Sequence, residues 1–316
     1  MIITVTLNPA LDKTATVDVM RPNALNRLRD VRIDAGGKGV NVSAMIRALG
    51  GSSVAVGFAG GSAGNELLSL IEKKSLKADF VGIKAVTRTN LKVMDDQGAL
   101  TELNEPGPEI TAPEWTEMQQ KLYGYAKPGN TIVLSGSLPA GLGKDTYQKL
   151  TQKLRRCGAS VFLDADSEGF RLAMESPPDE VPNCIKPNRY ELLQYFGLAD
   201  DSSIGDAKLA ELCRILLDRG VKLVALSMGK DGALFANQNG VWRSEGLRVP
   251  VRSTVGAGDS MVGALVYSYE QGLTDEGRFS LAIAASAGAC TTEGTNPPEQ
   301  ALIGDLLTKT RLEKIA

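Results

Sequence analysis

The chain has 316 residues, 43% of them apolar, which suits one large α/β domain with an appendage. Its 35 Lys and Arg against 37 Asp and Glu give a net charge of −2 with no basic block, which speaks against a nucleic-acid or membrane-surface footprint. It contains no histidine, so Ser-His-Asp chemistry, HExxH zinc sites and imidazole shuttles are excluded, and a carboxylate, Lys, Tyr or Cys must move any proton.

The opening MIITVTLNPALDKT carries neither a basic region nor a small-residue cleavage site. No apolar run approaches the ~18 residues of a membrane span. A cytoplasmic protein is expected. Cys157, Cys184, Cys213 and Cys290 are far apart with no CxxC pair, which reads as reduced, mostly buried thiols.

Along the chain, residues 2–7 read as a buried strand that ends in TLNPALD. Beyond the end of a parallel strand, Asp12 either faces a ligand crevice, where a carboxylate suits a vicinal diol, or is a plain turn residue. Residues 14–34 and 89–104 alternate with period two and lack a helix between their strands, and DDQG at 95–98 is a turn signal. They predict an antiparallel β lid, inserted at about 14–34 and 87–106 into a single α/β domain spanning 1–316. Its apolar face needs a cover, either substrate or a second subunit, and a homodimer through the lid is expected.

DAGGKGVNVSAMI, residues 34–46, is neither a Walker A motif nor GxGxxG. Gly36 and Gly37 either let the backbone approach a sugar, with Asn41 one turn into the helix as its hydrogen-bond partner, or form a tight strand-to-helix turn with Lys38 solvated. The helix at 40–49 should stop at Gly50 and Gly51. Arg27, Arg88 and Lys38 lie near these element ends, where they either converge on a phosphate or stay solvated. A strand follows at 53–58 and a helix at 65–74. Short apolar runs at 131–135, 161–164, 184–186 and 223–227 are bounded by Gly, Pro, Asn or Asp, with helical segments between most of them. That alternation predicts a mainly parallel sheet covered on both faces.

In IKPNRYEL, Asn188 and Glu191 share one helix face. They either hold Mg²⁺ through its waters or form a capping box. Ser227 ends a strand above the Gly-rich LSMGKDG and can meet nucleotide phosphates. The most loaded stretch is STVGAGDSMVGAL, residues 253–265. Glycines at a helix N-terminus let backbone amides approach an anion, so Gly256, Ala257 and Gly258 suit a phosphoryl group. Asp259 then suits proton removal from an attacking hydroxyl. The plainer reading is a Gly-rich turn with a capping Asp.

Taken together, TLNPALD, DAGGKGVNVS, TRTNLKV, LSGSLPAG, IKPNRYEL, LSMGKDGAL, STVGAGDSMVG and SAGACTTEGT resemble the PfkB-type carbohydrate kinases over nearly the full length. The chain looks most similar to the branch that acts on fructose 1-phosphate and tagatose 6-phosphate, and TRTNLKV, TELNEPGPEI and VGAGDS lean toward the former. The resemblance implies a ribokinase-like, three-layer αβα fold with a small antiparallel lid. It implies ATP-dependent, Mg²⁺-assisted transfer to a phosphosugar hydroxyl. Asp259 matches the base, and Gly256, Ala257 and Gly258 the anion hole. Asp12, Gly36, Gly37, Lys38 and Asn41 match the sugar side, and Arg27, Arg88 and Ser137 the sugar's phosphate. Lys186, Asn188, Ser227, Gly229, Thr254 and Gly258 match the nucleotide side. Glu191, Asn188 and Asp164 match the magnesium side, and Ser253, Val255 and Gly294 sit where some members hold K⁺. Many members carry Asp at position 253, where this chain and the phosphosugar branch do not.

The expected reaction is conversion of D-fructose 1-phosphate to fructose 1,6-bisphosphate. Tagatose 6-phosphate and fructose 6-phosphate are near-isosteric alternatives. Arg27, Arg88 and Lys38 speak against an unphosphorylated sugar. A non-catalytic sugar-phosphate sensor would not need an acid at 259, and a dinucleotide protein is disfavoured by the missing GxGxxG.

Overall fold

The computed structural model describes residues 1–201 and 203–316. Eleven strands form the main sheet, and its centre is parallel. Ile2–Thr6 lies between Ser53–Gly60 and Thr131–Ser135, and Ser160–Asp164, Cys184–Ile185 and Leu223–Ser227 continue outward in parallel. Alternate side chains point to opposite faces of a strand. Ile132 and Leu134 therefore enter one core while Val133 enters the other, and Val161 and Leu163 part from Phe162 in the same way. Helices Ala112–Tyr125, Thr146–Arg156 and Asp206–Asp218 cover the first face through Met118, Leu150 and Leu209. Helices Lys38–Ala48, Ala257–Glu270 and Asp275–Ala289 cover the second through Met45, Met261 and Phe279. This is the three-layer arrangement the alternation predicts.

The far edge of the sheet was not foreseen. Ala233–Asn237 runs antiparallel to Leu223–Ser227, and Gly240–Ser244 and Glu313–Lys314 extend it. The signal was a turn between Asn237 and Gly240, where the glycine takes φ of 145°.

The lid is a separate four-stranded sheet. Ala10–Val17 pairs antiparallel with Arg29–Gly36, and Arg88–Asp95 pairs antiparallel with Leu100–Asn104. The second hairpin turns where expected: the Asp95 carboxylate accepts from the amides of Gln97 and Ala99, with Gly98 at φ 82°. The two hairpins join through a parallel pairing of Ala10–Val17 with Arg88–Asp95, which period-two alternation cannot reveal. The lid begins at Ala10, earlier than the alternation suggested. Asp12 therefore belongs to the lid and not to the end of the central strand, which stops at Thr6.

Helix Lys38–Ala48 ends at a Gly50 with φ 83°, and the next helix spans Gly61–Lys73. All four cysteines are free, with Cys184 and Cys213 buried and Cys157 and Cys290 half-buried. Among the described residues, no helix is long and apolar enough to cross a membrane.

Candidate active site

Open parallel sheets place ligands beyond the carboxyl ends of their strands. A cleft of about 500 Å³ lies there, walled by strand ends, by the lid and by the start of helix Ala257–Glu270. Burying a polar atom without a partner is costly, so a cluster of such atoms in a cleft suits a polar ligand. Six of the buried side-chain atoms without a partner among the described residues belong to cleft-lining residues: Thr6 Oγ1, Asn8 Oδ1, Arg88 Nε, Asn90 Oδ1, Asp164 Oδ2 and Thr295 Oγ1.

The floor is built around Asp259, in the first turn of its helix and only 7% exposed. Gly256 precedes the helix in the left-handed region at φ 82°, which favours glycine. It packs on Thr295, whose Cα, Cβ and Cγ2 lie 3.5 Å from where a Gly256 side chain would begin. The amides of Gly258 and Asp259 have no intrahelical acceptor so early in a helix and sit at the positive end of its dipole. The Ala257 amide, by contrast, is turned to the Thr254 carbonyl at 3.4 Å. The Asn41 amide donates to Asp259 Oδ2 at 2.7 Å, from one turn inside the facing helix. Burial, reinforced by the negative charge of Asp164, raises the Asp259 carboxyl to about 6, with Lys38, Asn41 and Lys186 opposing.

Asp164 is the charge partner of two ammonium groups. Its Oδ1 accepts from Lys38 at 3.2 Å and meets Lys186 at 3.3 Å. Burial alone would raise its carboxyl, yet Lys186 and Lys38 outweigh that and hold it low. Burial would lower Lys38, but Asp164 and Asp259 outweigh it and leave Lys38 raised. Lys186 also reaches the Gly256–Gly258 turn, since its Nζ is 3.3 Å from where a Gly258 side chain would begin. Two held cations thus flank unpaired amides and a buried carboxylate, which suits a polyphosphate beside a hydroxyl to be ionised.

The roof is the lid. Asp12 is held by Asn90 at 3.0 Å and by Lys92 at 2.9 Å, both from the neighbouring parallel strand. Gly36 lies against it on the other side, where a Cβ would fall 2.5 Å from Asp12 Cγ. Gly37, at φ 122°, crosses Thr6, where a Cβ would fall 2.6 Å from Cγ2, and lies beside Pro9, with Cα 3.4 Å from that Cβ. Arg88 donates to the carbonyls of Asn8 and Glu105, and burial lowers it despite Asp12 and Glu105 nearby. Asn8 Nδ2 donates to Ser137 Oγ at 3.3 Å, linking the lid's root to the LSGSLPAG turn.

Of the residues singled out from sequence, Asp12, Gly37, Lys38, Asn41, Arg88, Ser137, Asp164, Lys186, Glu191, Val255, Gly256, Gly258 and Asp259 line this one cleft. Asn188, Ser227 and Gly229 gather one strand further out, where Asn188 and Ser227 form a bridge and the Ser227 amide donates to the Pro187 carbonyl. Ser253, Thr254 and Gly294 lie on the two turns behind Gly256, and Arg252 and Ser253 tie these turns together by donating to the Cys290 carbonyl. Arg27 is exposed on the lid's outer connection and is not among the cleft-lining residues. Reading from sequence missed Thr6, Asn8, Asn90, Gly136, Asp166 and Thr295, which line the cleft, and Lys92 behind them. Arg88, Asn90 and Lys92 are alternate residues of TRTNLKV, so the period-two pattern already placed them on one face.

Asn188 and Glu191 do form the capping box: each side chain accepts from the other's backbone amide at 2.8 Å. Among the described residues, no three His, Cys, Asp or Glu cluster as a metal cage. Glu191 lines the cleft, and Asp164 Oδ2 is buried there without a partner. That donor set fits a hard divalent ion carried by phosphates and water, not one chelated by protein alone.

Residues 5–302 match the family described as pfkB family carbohydrate kinase. A 1-phosphofructokinase of Borreliella burgdorferi is 34% identical over 316 residues, 100% of this chain and 99% of that protein. Another, from Rhodobacter capsulatus, is 35% identical over 95% of this chain and 94% of its own. Among solved structures, phosphofructokinase-2 from Escherichia coli in complex with substrates and products superposes with a TM-score of 0.92 at 27% identity, covering 98% of each chain.

Proposed function

The chain belongs to the pfkB family of carbohydrate kinases, and from that premise we propose that it is a 1-phosphofructokinase, transferring the γ-phosphoryl of ATP to the 6-hydroxyl of D-fructose 1-phosphate. The single observation that carries this reading is the buried Asp259, facing the cleft beside the unpaired amides that open its helix. The relatives named for the same activity support the choice of phosphosugar.

In this reading Asp12 accepts from sugar hydroxyls, with Lys92 and Asn90 holding it in place. Asn41 and the backbone at Gly36 and Gly37 position the ring, and Arg88 and Ser137 lie toward the sugar's phosphate. Arg27 is left outside this set. Asp259 takes the hydroxyl proton onto its carboxylate as the phosphoryl group moves in line. Lys186, Lys38 and the Gly256–Gly258 turn spread the transferring charge, with Asn188, Ser227, Gly229 and Thr254 on the nucleotide side. Glu191 and Asp164 are the residues that would hold a divalent ion such as Mg²⁺ here, and the ion would supply further charge neutralisation. Closure of the lid excludes water from the reaction.

The reading places the enzyme in the cytoplasm as a homodimer whose partner covers the lid. It also places K⁺ behind the anion-binding turn, near Ser253, Val255 and Gly294; one solved relative is described in complex with potassium. A second reading, phosphorylation of fructose 6-phosphate at the 1-hydroxyl, draws on another Escherichia coli phosphofructokinase-2 structure described in complex with that sugar.

A panel of fructose 1-phosphate, fructose 6-phosphate, tagatose 6-phosphate and free fructose with ATP, run in K⁺ and in tetramethylammonium buffers, tests these choices. The expected result is fastest turnover on fructose 1-phosphate, product phosphate at C6 by NMR, and higher rates in K⁺. Preference for another sugar overturns the substrate, and equal rates in both buffers overturn the ion.

A further inference from the structure

The lid touches the body at a second place, beside the cross-strand partner of Asp12, Asp34. Arg32, in the lid strand Arg29–Gly36, donates from Nε to Asp34 Oδ2 at 2.7 Å and from Nη1 to Glu293 Oε2 at 3.0 Å. The Nη2 end of its guanidinium approaches the next residue, Gly294, so closely that a Cβ there would collide with it. Gly294 is at φ 63°, so both its conformation and its bareness suit this contact. The residue after it is Thr295, which lines the cleft with a buried, unpartnered hydroxyl and packs on Gly256 at the start of the catalytic helix. The same turn is fixed at two further points: Lys74 donates to Asn296 Oδ1 at 3.2 Å, and Arg252, just before the anion-binding loop, meets Glu293 Oε1 at 3.4 Å.

We propose that Arg32 is a positioning residue for phosphoryl transfer: seated on Gly294 and paired with Glu293, it fixes the turn that presents Thr295 and buttresses Gly256, so that the seating of the lid sets the geometry of the anion-binding amides. The proposal rests on the reading above, in which those amides hold the transferring group. Glu293 is 65% exposed, and such a pair adds little to global stability. Its effect is therefore local, on a route of packed groups with one end in the lid and the other at the reacting phosphate. Asp34 keeps the guanidinium aimed, and Gly294 lets it come close.

The test uses Glu293→Gln and Arg32→Gln in the full chain, alone and combined. Amide hydrogen exchange is read at residues 292–296 and 254–258, and kcat, both KM values and the melting temperature are measured alongside. Each single variant is expected to exchange faster in both segments and to lose about 3- to 30-fold in kcat, with the phosphosugar KM and melting temperature near wild type. The double variant should lose little beyond the worse single, and Arg32→Lys should recover part of the loss. Unchanged exchange at 254–258, an unchanged kcat, or losses that multiply in the double variant would overturn the proposal. The exchange arm needs no substrate, so failure of the assigned activity in the wild-type enzyme leaves it able to decide.

Discussion

At the scale of single residues, the site turns on one carboxylate kept out of water. Asp259 reads as a base because burial and Asp164 raise it to about 6, close enough to neutrality to take a proton and still be ionised. The pH profile follows from the sign of that shift. Log kcat/KM for the phosphosugar should fall with unit slope below a pH of about 6 as Asp259 protonates. The chain contains no histidine to produce such a limb. A limb centred near 4, or none, would contradict the assignment. Sequence already pointed to Asp259, because glycines before an apolar helix limit what an acid can do there. It could not reveal that Asp164 serves two lysines, since the three come from separate elements that meet only when the sheet forms.

At the scale of elements, the proposed function makes the lid more than a cover, because the acceptor it assigns to the sugar, Asp12, sits there. Asp12, Asn90, Lys92 and Gly36 all sit on its three adjoining strands. Gly36→Ala tests this. Its Cβ would collide with Asp12 at a distance no side chain tolerates, while Asn90 and Lys92 block retreat. The phosphosugar KM should rise about 10- to 100-fold, the worth of hydrogen bonds to a charged acceptor, with the ATP KM nearly unchanged. Equal effects on both substrates would place Asp12 elsewhere in the mechanism. The two lid hairpins were legible from alternation and from DDQG. Their parallel junction was not, because pairing between residues 78 apart, such as Ala10 and Arg88, leaves no local signal. The capping box of Asn188 and Glu191 was fully legible, since it depends only on residues three apart.

At the scale of the molecule, alternating strands and helices announced the covered parallel sheet, whereas its antiparallel edge was announced by a single turn. The lid still exposes Val31, Leu100 and Leu103, the last at 54%. A monomer would leave these in water, which favours a second copy there. The double variant Val31→Glu with Leu103→Glu should sediment as a monomer where the parent sediments as a dimer, and it should keep its far-ultraviolet circular dichroism. A parent that sediments as a monomer would remove the lid interface.

The claim on which everything else depends is that Asp259 ionises the hydroxyl. Its most direct test is turnover by Asp259→Asn with fructose 1-phosphate and ATP, measured beside the binding of both substrates and the melting temperature at pH 7 and pH 4. Because the folded protein raises this carboxyl from 3.8 to about 6, its ionisation opposes folding progressively above pH 4. The variant should therefore melt no lower than the parent at pH 7, relieved of up to about 3 kcal/mol, with the difference closing toward pH 4. Turnover should drop by about two to four powers of ten while both substrates still bind. Turnover within about threefold of the parent, below the roughly hundredfold minimum for a lost general base, would contradict the account.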